Sequence, residues 1–325
     1  MYRLAASAAA ALASLLASCD GRTPALPTEP PAAPLSDILP PIGANTSLLV
    51  VSPHPDDESL CCAGLIQRVL HGGGQVSVVW ITSGDAERVG LMLTARSLLP
   101  GAAAARQFGH TRIREARAAA TLLGVPPDRQ LFLGYPDGGL LALLEEHRTR
   151  PYRSPVTDAD AVPYSEALFP GHPYTGESLA RDFALVLERL RPTVILAPSP
   201  RDEHPDHRAA GLLAMAAGPG SAVGAVEITD AAGTVSANNE QRAVRYWIVH
   251  GGEGWPSPRG LLPGIPLTPP AAGRGLTYAA FDLDPAEEDR KLAALRVHGT
   301  QMRAMEPFLL SFVRTTELYF AAPTR

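Results

Sequence analysis

From residue 48 onward, short unbroken apolar runs alternate with helix-length segments, and this rhythm restricts the fold more than any other feature. Runs at 48–52, 76–82, 130–134, 193–197 and 244–250 predict strands. Between them, helices are predicted at 57–70, 112–123, 178–190 and 207–217, the first stopped by Gly72-Gly73-Gly74. Strands that are apolar throughout must be covered on both faces. The pattern therefore predicts an α/β domain built on a doubly wound, mostly parallel sheet. Three stretches break the rhythm: 135–176, 218–241 and 251–275 are rich in Pro, Gly and polar residues and read as long loops. A last helix is announced by Asp284-Pro285-Ala286-Glu287, with an acidic cap, proline in the first turn and a carboxylate at the third position.

Two segments carry chemistry: Ser52-Pro53-His54-Pro55-Asp56-Asp57-Glu58 and Arg201-Asp202-Glu203-His204-Pro205-Asp206-His207. Each follows a predicted strand and opens a predicted helix, which puts both at the carboxyl edge of the sheet, where open α/β folds bind ligands. Either segment alone reads as an ordinary acidic helix cap. Together they repeat His-Pro-Asp at two strand ends, and that repetition points to a site. Cleaving an unactivated amide near neutral pH requires a strong nucleophile, and a metal supplies one by lowering the pKa of a bound water toward ~7. Two imidazoles and one carboxylate leave such a site open. A separate carboxylate must take the water's proton, and an acid must protonate the amine. Adjacent aspartates in a turn point different ways, so one can ligate while the other acts as base.

The rest of the sequence narrows the setting. The chain has 325 residues, 46% of them hydrophobic and 19% charged, with net charge −5 and no basic block of the kind a nucleic-acid surface needs. Three cysteines exclude a disulfide framework, and adjacent Cys61 and Cys62 read as small buried fillers. Residues 1–18 read as a signal peptide: Arg3 supplies a basic start, and an Ala-rich core too short to span a bilayer ends in Leu16-Ala17-Ser18-Cys19. That ending resembles the bacterial lipobox, which implies a diacylglycerol on Cys19 and an exported domain held to the cell envelope by the lipid alone. Residues 19–46, with seven prolines between 24 and 41, read as an extended linker, and 47–325 as the folded domain.

With Thr82-Ser83-Gly84-Asp85, with residues 112–115 and with Lys291, His298 and Gln301, the paired segments resemble the PIG-L/LmbE-like N-deacetylase family. The resemblance spans about residues 47–320. It implies a single Rossmann-like domain that uses Zn²⁺, or another divalent ion such as Fe²⁺, to hydrolyse the acetamide of an N-acetylglucosamine-type sugar or glycan. It implies His54, Asp57 and His207 as metal ligands and Asp56 as general base. His204 would stabilise the oxyanion or act as general acid, oriented by Asp206. Arg112 falls near the sugar, with Tyr174 and His298 as further substrate contacts.

The sequence departs from the family in one respect. A tyrosine that some members carry before the second motif is replaced by Asp202 and Glu203, so Tyr135, Tyr164 or Tyr174 is expected to substitute for it, or the acids to favour a protonated His204. Tyr135, Tyr152, Tyr164, Tyr174 and Trp255, on the long loops, are expected to offer stacking faces to sugar rings. Arg112 and Glu115 could instead form a surface ion pair, and His172 is a loop candidate. Two rival readings keep the fold: a metal-dependent amidase acting on a small non-glycan conjugate, and a glycan-binding lipoprotein without catalysis.

The lipobox reading makes Cys19 the only acylated residue. Cys19→Ala is expected to abolish incorporation of labelled fatty acid in a bacterial host, and equal labelling of variant and parent would refute it.

Overall fold

The computed structural model describes residues 32–218, 228–230, 233–235 and 242–321. The expected signal segment and Cys19 lie outside these residues, as does most of the predicted loop at 218–241. In chain order the main elements are α1 (Leu35–Ile38), β1 (Ser47–Ser52), α2 (Asp57–His71), β2 (Gln75–Thr82), α3 (Arg88–Ala95), α4 (Ala102–Leu122) and β3 (Gln130–Tyr135). Then come α5 (Leu140–Glu145), α6 (Gly176–Leu190), β4 (Val194–Pro198), α7 (Pro205–Ala216), β5 (Ile228–Asp230), β6 (Gly233–Val235) and β7 (Ala243–Trp247). The chain closes with β8 (Tyr278–Asp282), α8 (Pro285–Val297), α9 (Gly299–Leu310) and β9 (Thr316–Phe320).

Among the described residues one sheet has seven strands in the order β3-β2-β1-β4-β7-β9-β8, and β5 with β6 forms a separate hairpin. The first five strands run parallel, as their apolar character requires. β9 is antiparallel to both neighbours. Winding reverses between β1 and β4, which pair directly through Leu48↔Val194, Leu49↔Ile195 and Val50↔Leu196. The two sequence motifs therefore leave adjacent strands at the same sheet edge. Helices gather in two groups: α2, α4 and α8 pack on one another, and α5 packs on α6 and α7. The five predicted strands and the helices at 57–70, 178–190 and 207–217 are present, with ends moved by a few residues.

Four expectations need correction. The linker was expected to reach residue 46 unpacked, yet the Ala33 amide donates to Tyr278 O at 2.8 Å and Ile38 and Leu39 are buried. The prolines flank a pair of large apolar side chains that the body takes up. Cys61 and Cys62 are buried but joined as a disulfide within α2. The backbone there is served by β9: Glu317 accepts from the amides of Gly64 and Leu65, and the Tyr319 hydroxyl donates to Cys61 O. α4 starts at Ala102, ten residues before the predicted helix, because its early Ala run forms helix without needing a strongly apolar face. The loop at 135–176 holds α5 and folds Tyr135, Tyr164 and Tyr174 into the core instead of offering them to sugar rings.

Gly109 shows how tightly that loop is packed. A Cβ at this position on α4 would lie 2.3 Å from the hydroxyl of Tyr164, itself fully buried. Gly109→Ala must displace the Tyr164 ring or the helix, and a loss of roughly 1–3 kcal/mol is expected in denaturant unfolding. A variant as stable as the parent would show that the loop yields.

Candidate metal centre and active-site pocket

The first motif forms a tight turn between β1 and α2. Ser52 Oγ donates to His54 O at 2.7 Å, the His54 amide donates to Asp57 Oδ2 at 2.9 Å, and the Thr82 amide donates to Pro53 O at 3.0 Å. Asp56 sits at φ 142°, ψ −27°, a region that non-glycine residues rarely occupy. Such a conformation costs of the order of 1–3 kcal/mol and persists only where the surroundings fix it. Here the fully buried Glu58 fixes it. Glu58 Oε2 accepts from the Asp56 amide at 3.2 Å and from Trp80 Nε1 at 2.8 Å.

The second motif leaves β4 and opens α7 with His204 as its cap. Its His207 meets the first motif across the winding reversal. His54 Nδ1 and Asp57 Oδ2 are 3.3 Å apart, Asp57 Oδ2 and His207 Nε2 3.3 Å, and His207 Nε2 and His54 Nδ1 3.2 Å. A tetrahedral ion with ligands at ~2.0–2.1 Å spaces them by roughly 3.3–3.4 Å. The three atoms thus form one face of such a tetrahedron, and the residues fit a divalent cation.

Each imidazole turns its other nitrogen to a carboxylate, which keeps the inward nitrogen free as a lone-pair donor. His54 Nε2 lies 3.2 Å from Asp137 Oδ1 and 3.3 Å from Asp206 Oδ2. His207 Nδ1 lies 3.2 Å from Asp202 Oδ2. Burial alone would push the His207 pKa down. Asp57 and Asp202 outweigh it and raise it to about 9. His54 is raised likewise, with burial opposed by Asp137, Asp206 and Asp57. Carboxylates that draw protons this strongly onto buried imidazoles also favour a metal cation in their place.

Beside the triangle stands Asp56, whose Oδ2 is 3.2 Å from Arg112 Nη2. Burial pushes its carboxyl up to about 7; Arg112 opposes this, and Asp57 adds to it. Arg112 is itself buried and spans the turn, donating to Pro55 O and Gly84 O at 2.7 Å each. All of this opens on a cavity of about 240 Å³. His54, Asp56, Asp57, Asp137 and His204 line its polar side, and Leu60, Val249, Met305 and Phe308 its apolar side.

Several predicted roles change. The Asp206 carboxylate does not reach His204; it accepts from the amides of Gly138 (2.7 Å) and Leu140 (3.0 Å) and faces His54. Only the Asp206 amide meets His204, donating to Nδ1 at 3.2 Å. Nor is a protonated His204 favoured: burial, reinforced by His54 and His207, lowers it to about 4. Tyr135, Tyr164 and Tyr174 are fully buried, their hydroxyls given to Asp182, Asp85 and Gly134 O, so none replaces the absent tyrosine. Neither they nor Tyr152 nor Trp255 lines the cavity, because the loops fold their rings into the core. His298 is buried behind the turn, 3.3 Å from Glu58 Oε1 and 3.2 Å from Ser59 Oγ, and does not line the cavity. Gln301 does. Glu115 accepts from Thr300 instead of pairing with Arg112, and His172 pairs with Asp182 in the loop.

The sequence reading passed over Asp137 and His250, both on the cavity wall, and gave Asp202 no role at the metal. The position of each held the signal. Asp137 follows the third strand, His250 ends the predicted fifth, and Asp202 opens the second motif.

Residues 49–218 match the family described as PIG-L, GlcNAc-PI de-N-acetylase. A 1D-myo-inositol 2-acetamido-2-deoxy-alpha-D-glucopyranoside deacetylase from Tsukamurella paurometabola is 31% identical over 293 residues, covering 82% of this chain and 86% of the relative. The enzyme of that name from Geodermatophilus obscurus is 31% identical over 279 residues, covering 80% and 84%. Among solved structures, N,N'-diacetylchitobiose deacetylase from Pyrococcus horikoshii superposes with TM-score 0.50 at 20% identity over 84% of this chain and 82% of that one. A 4-carboxy-2-hydroxymuconate hydratase from Pseudomonas putida superposes equally well, at TM-score 0.50 and 17% identity over 82% of each chain. The fold alone therefore leaves the reaction open, and the site must decide it.

The outer carboxylates make a test of the centre. Asp202→Asn should keep the fold and weaken metal affinity by roughly 10–100-fold, because it loosens the His207 orientation. Metal titration of the purified variant measures this, and parental affinity would remove Asp202 from the centre.

Proposed function

This chain belongs to the PIG-L de-N-acetylase family, and from that premise we propose that it is a zinc-dependent hydrolase, exported and lipid-anchored at Cys19, that deacetylates an N-acetylglucosamine-type sugar. The observation that carries the reading is the 3.2–3.3 Å triangle of His54, Asp57 and His207 with Asp56 at its side. Two relatives named for removing acetyl from a 2-acetamido sugar support the substrate class. A divalent ion held by the three residues supplies Lewis acidity toward the amide carbonyl and an acidified water.

The remaining steps fall to the chain's own side chains. Asp56 takes the water's proton on its carboxylate and returns it to the departing amine nitrogen. Arg112 holds that carboxylate in place and opposes its protonation. His204 carries its proton on Nε2, since Nδ1 already accepts the Asp206 amide, and donates it as a hydrogen bond to the oxygen on which charge develops. His54 keeps its outer proton on Nε2, donated to Asp137 and Asp206, and His207 keeps its own on Nδ1, donated to Asp202. Leu60, Val249, Met305 and Phe308 give the cavity its apolar lining. A second reading, a small N-acetylated conjugate in place of a polymer, is favoured by one observation: of the five aromatic rings expected to grip a long glycan, four are buried and none lines the cavity.

Acetate release from a panel of N-acetylated sugars of increasing length, with and without chelator, tests both readings. Asp56→Asn should keep its metal and lose roughly 10²–10⁴ in turnover. Because the base acts ionised, kcat/KM of the parent should fall as pH drops through the Asp56 titration, below about 7 once a cation sits nearby. That limb should be missing from the residual activity of Asp56→Asn. Parental turnover in the variant would assign the base elsewhere.

A further inference from the structure

Next to the cavity lies a surface that the deacetylation chemistry does not use. Ala86 and Glu87 line the cavity, and Glu87 caps the following helix, α3, by accepting from the amides of Val89 and Gly90. α3 packs on α9, whose Gln301, Met305 and Phe308 also line the cavity. Within α3 only Gly90 and Leu91 are buried. Val89 and Leu93, one turn apart, are 45% and 51% exposed, and in the turn that follows Leu98 and Leu99 are 83% and 89% exposed. Of the eight large apolar side chains exposed among the described residues, four fall in the eleven residues 89–99. Clustering of this kind beside a site marks a contact surface.

Charge indicates the partner. Residues 88–114 contain Arg88, Arg96, Arg106, Arg112 and Arg114 and no Asp or Glu, in a chain of net charge −5. Arg88 and Arg96 are exposed and make no ion pair among the described residues. Apolar side chains flanked by free arginines suit an anionic lipid surface, with leucines at the acyl boundary and guanidinium groups on phosphates. A second copy meeting the same patch about a two-fold would oppose these cations to themselves. Twelve residues lie between Cys19 and Ala32, so a lipid on Cys19 would hold the body within about 45 Å of the bilayer.

We propose that residues 88–99 dock on an anionic phospholipid bilayer, seating Leu98 and Leu99 in its interface and bringing the cavity mouth to the headgroup layer. The proposal draws on the lipid anchor for proximity alone and on the deacetylase reading not at all.

Hydrogen exchange of the full chain tests it, without vesicles, with phosphatidylcholine vesicles and with phosphatidylglycerol-rich vesicles. Sedimentation confirms which samples are vesicle-bound. Slowed exchange is expected across 88–101 on the anionic vesicles, with none over α6. Leu98→Ser with Leu99→Ser should return the turn to its vesicle-free rate while leaving acetate release from a soluble substrate unchanged. Arg88→Gln with Arg96→Gln should lower the protection by about fivefold per cation. Vesicle-bound protein with an unprotected turn overturns the proposal, as does equal protection on neutral vesicles. Protection that grows with protein concentration without vesicles assigns the patch to a second copy. Fatty-acid labelling reads the anchor separately, and an unlipidated chain should still show the slowing at vesicle excess.

Discussion

The candidate metal centre depends on the register in which β1 pairs with β4. Val50 lies against Leu196, and from there each strand runs a few residues to its motif. His54 Nδ1 and His207 Nε2 meet at 3.2 Å although 153 residues separate them. A slip of one residue would move one motif by about 3.3 Å and turn its side chains to the other face. Either change alone would open the triangle. The register is fixed because both strands are apolar and buried along their length, so every slipped pairing would also misplace core side chains. The geometry of the ligands is therefore set by hydrophobic packing well away from them.

The turn after β1 adds a second constraint. The backbone at Asp56 is strained, and Glu58, Trp80 and Arg112 hold it there. The strain separates two neighbouring carboxylates that an ordinary helix start would keep alike. Asp57 accepts from the His54 amide and faces the two imidazoles, and Asp56 faces Arg112 and the cavity. Their environments push them apart: the imidazoles hold Asp57 well below the usual carboxylate range against its burial, and burial takes Asp56 up to about 7. Divergent titration of adjacent acids is what separates a ligand from a base.

Much of this was legible in the sequence, for identifiable reasons. Continuous apolar runs gave the parallel strands, since only a strand covered on both faces tolerates them. The repeated His-Pro-Asp after two such strands gave the centre. What could not be read is whatever depends on where a loop's side chains end up. Tyr164 and Tyr174 lie in a segment with no periodicity, and nothing in it says that Gly109 leaves room for one ring on α4 or that Gly134 O waits for the hydroxyl of the other. Glu58 reads as a helix-start acid, yet it holds a turn through Trp80, a partner on another strand. The antiparallel edge formed by β8 and β9 escaped because β8 alternates buried with less buried positions and β9 opens with Thr316 and Glu317, so neither is an unbroken apolar run. Asp137 was missed although its place after the third strand matches the rule that found the motifs.

The two histidines of the second motif show how far hydrogen bonding, and not residue type, divides the work. His204 and His207 share one helix start, three residues apart. At His207, Nδ1 meets the Asp202 carboxylate, so the proton stays on Nδ1 and Nε2 turns a lone pair toward Asp57 and His54. At His204, Nδ1 meets a backbone donor, the Asp206 amide, so Nδ1 carries the lone pair and the proton moves to Nε2. One imidazole thus presents a lone pair to the candidate metal triangle, and the other is left with an N–H as the proposed mechanism requires. Asp202 serves both, accepting from the His204 amide through Oδ1 and from His207 through Oδ2, with the amides of Val249 and His250 anchoring it from β7's end. One fully buried carboxylate therefore ties the cap of α7 to the end of β7 and fixes the His207 tautomer.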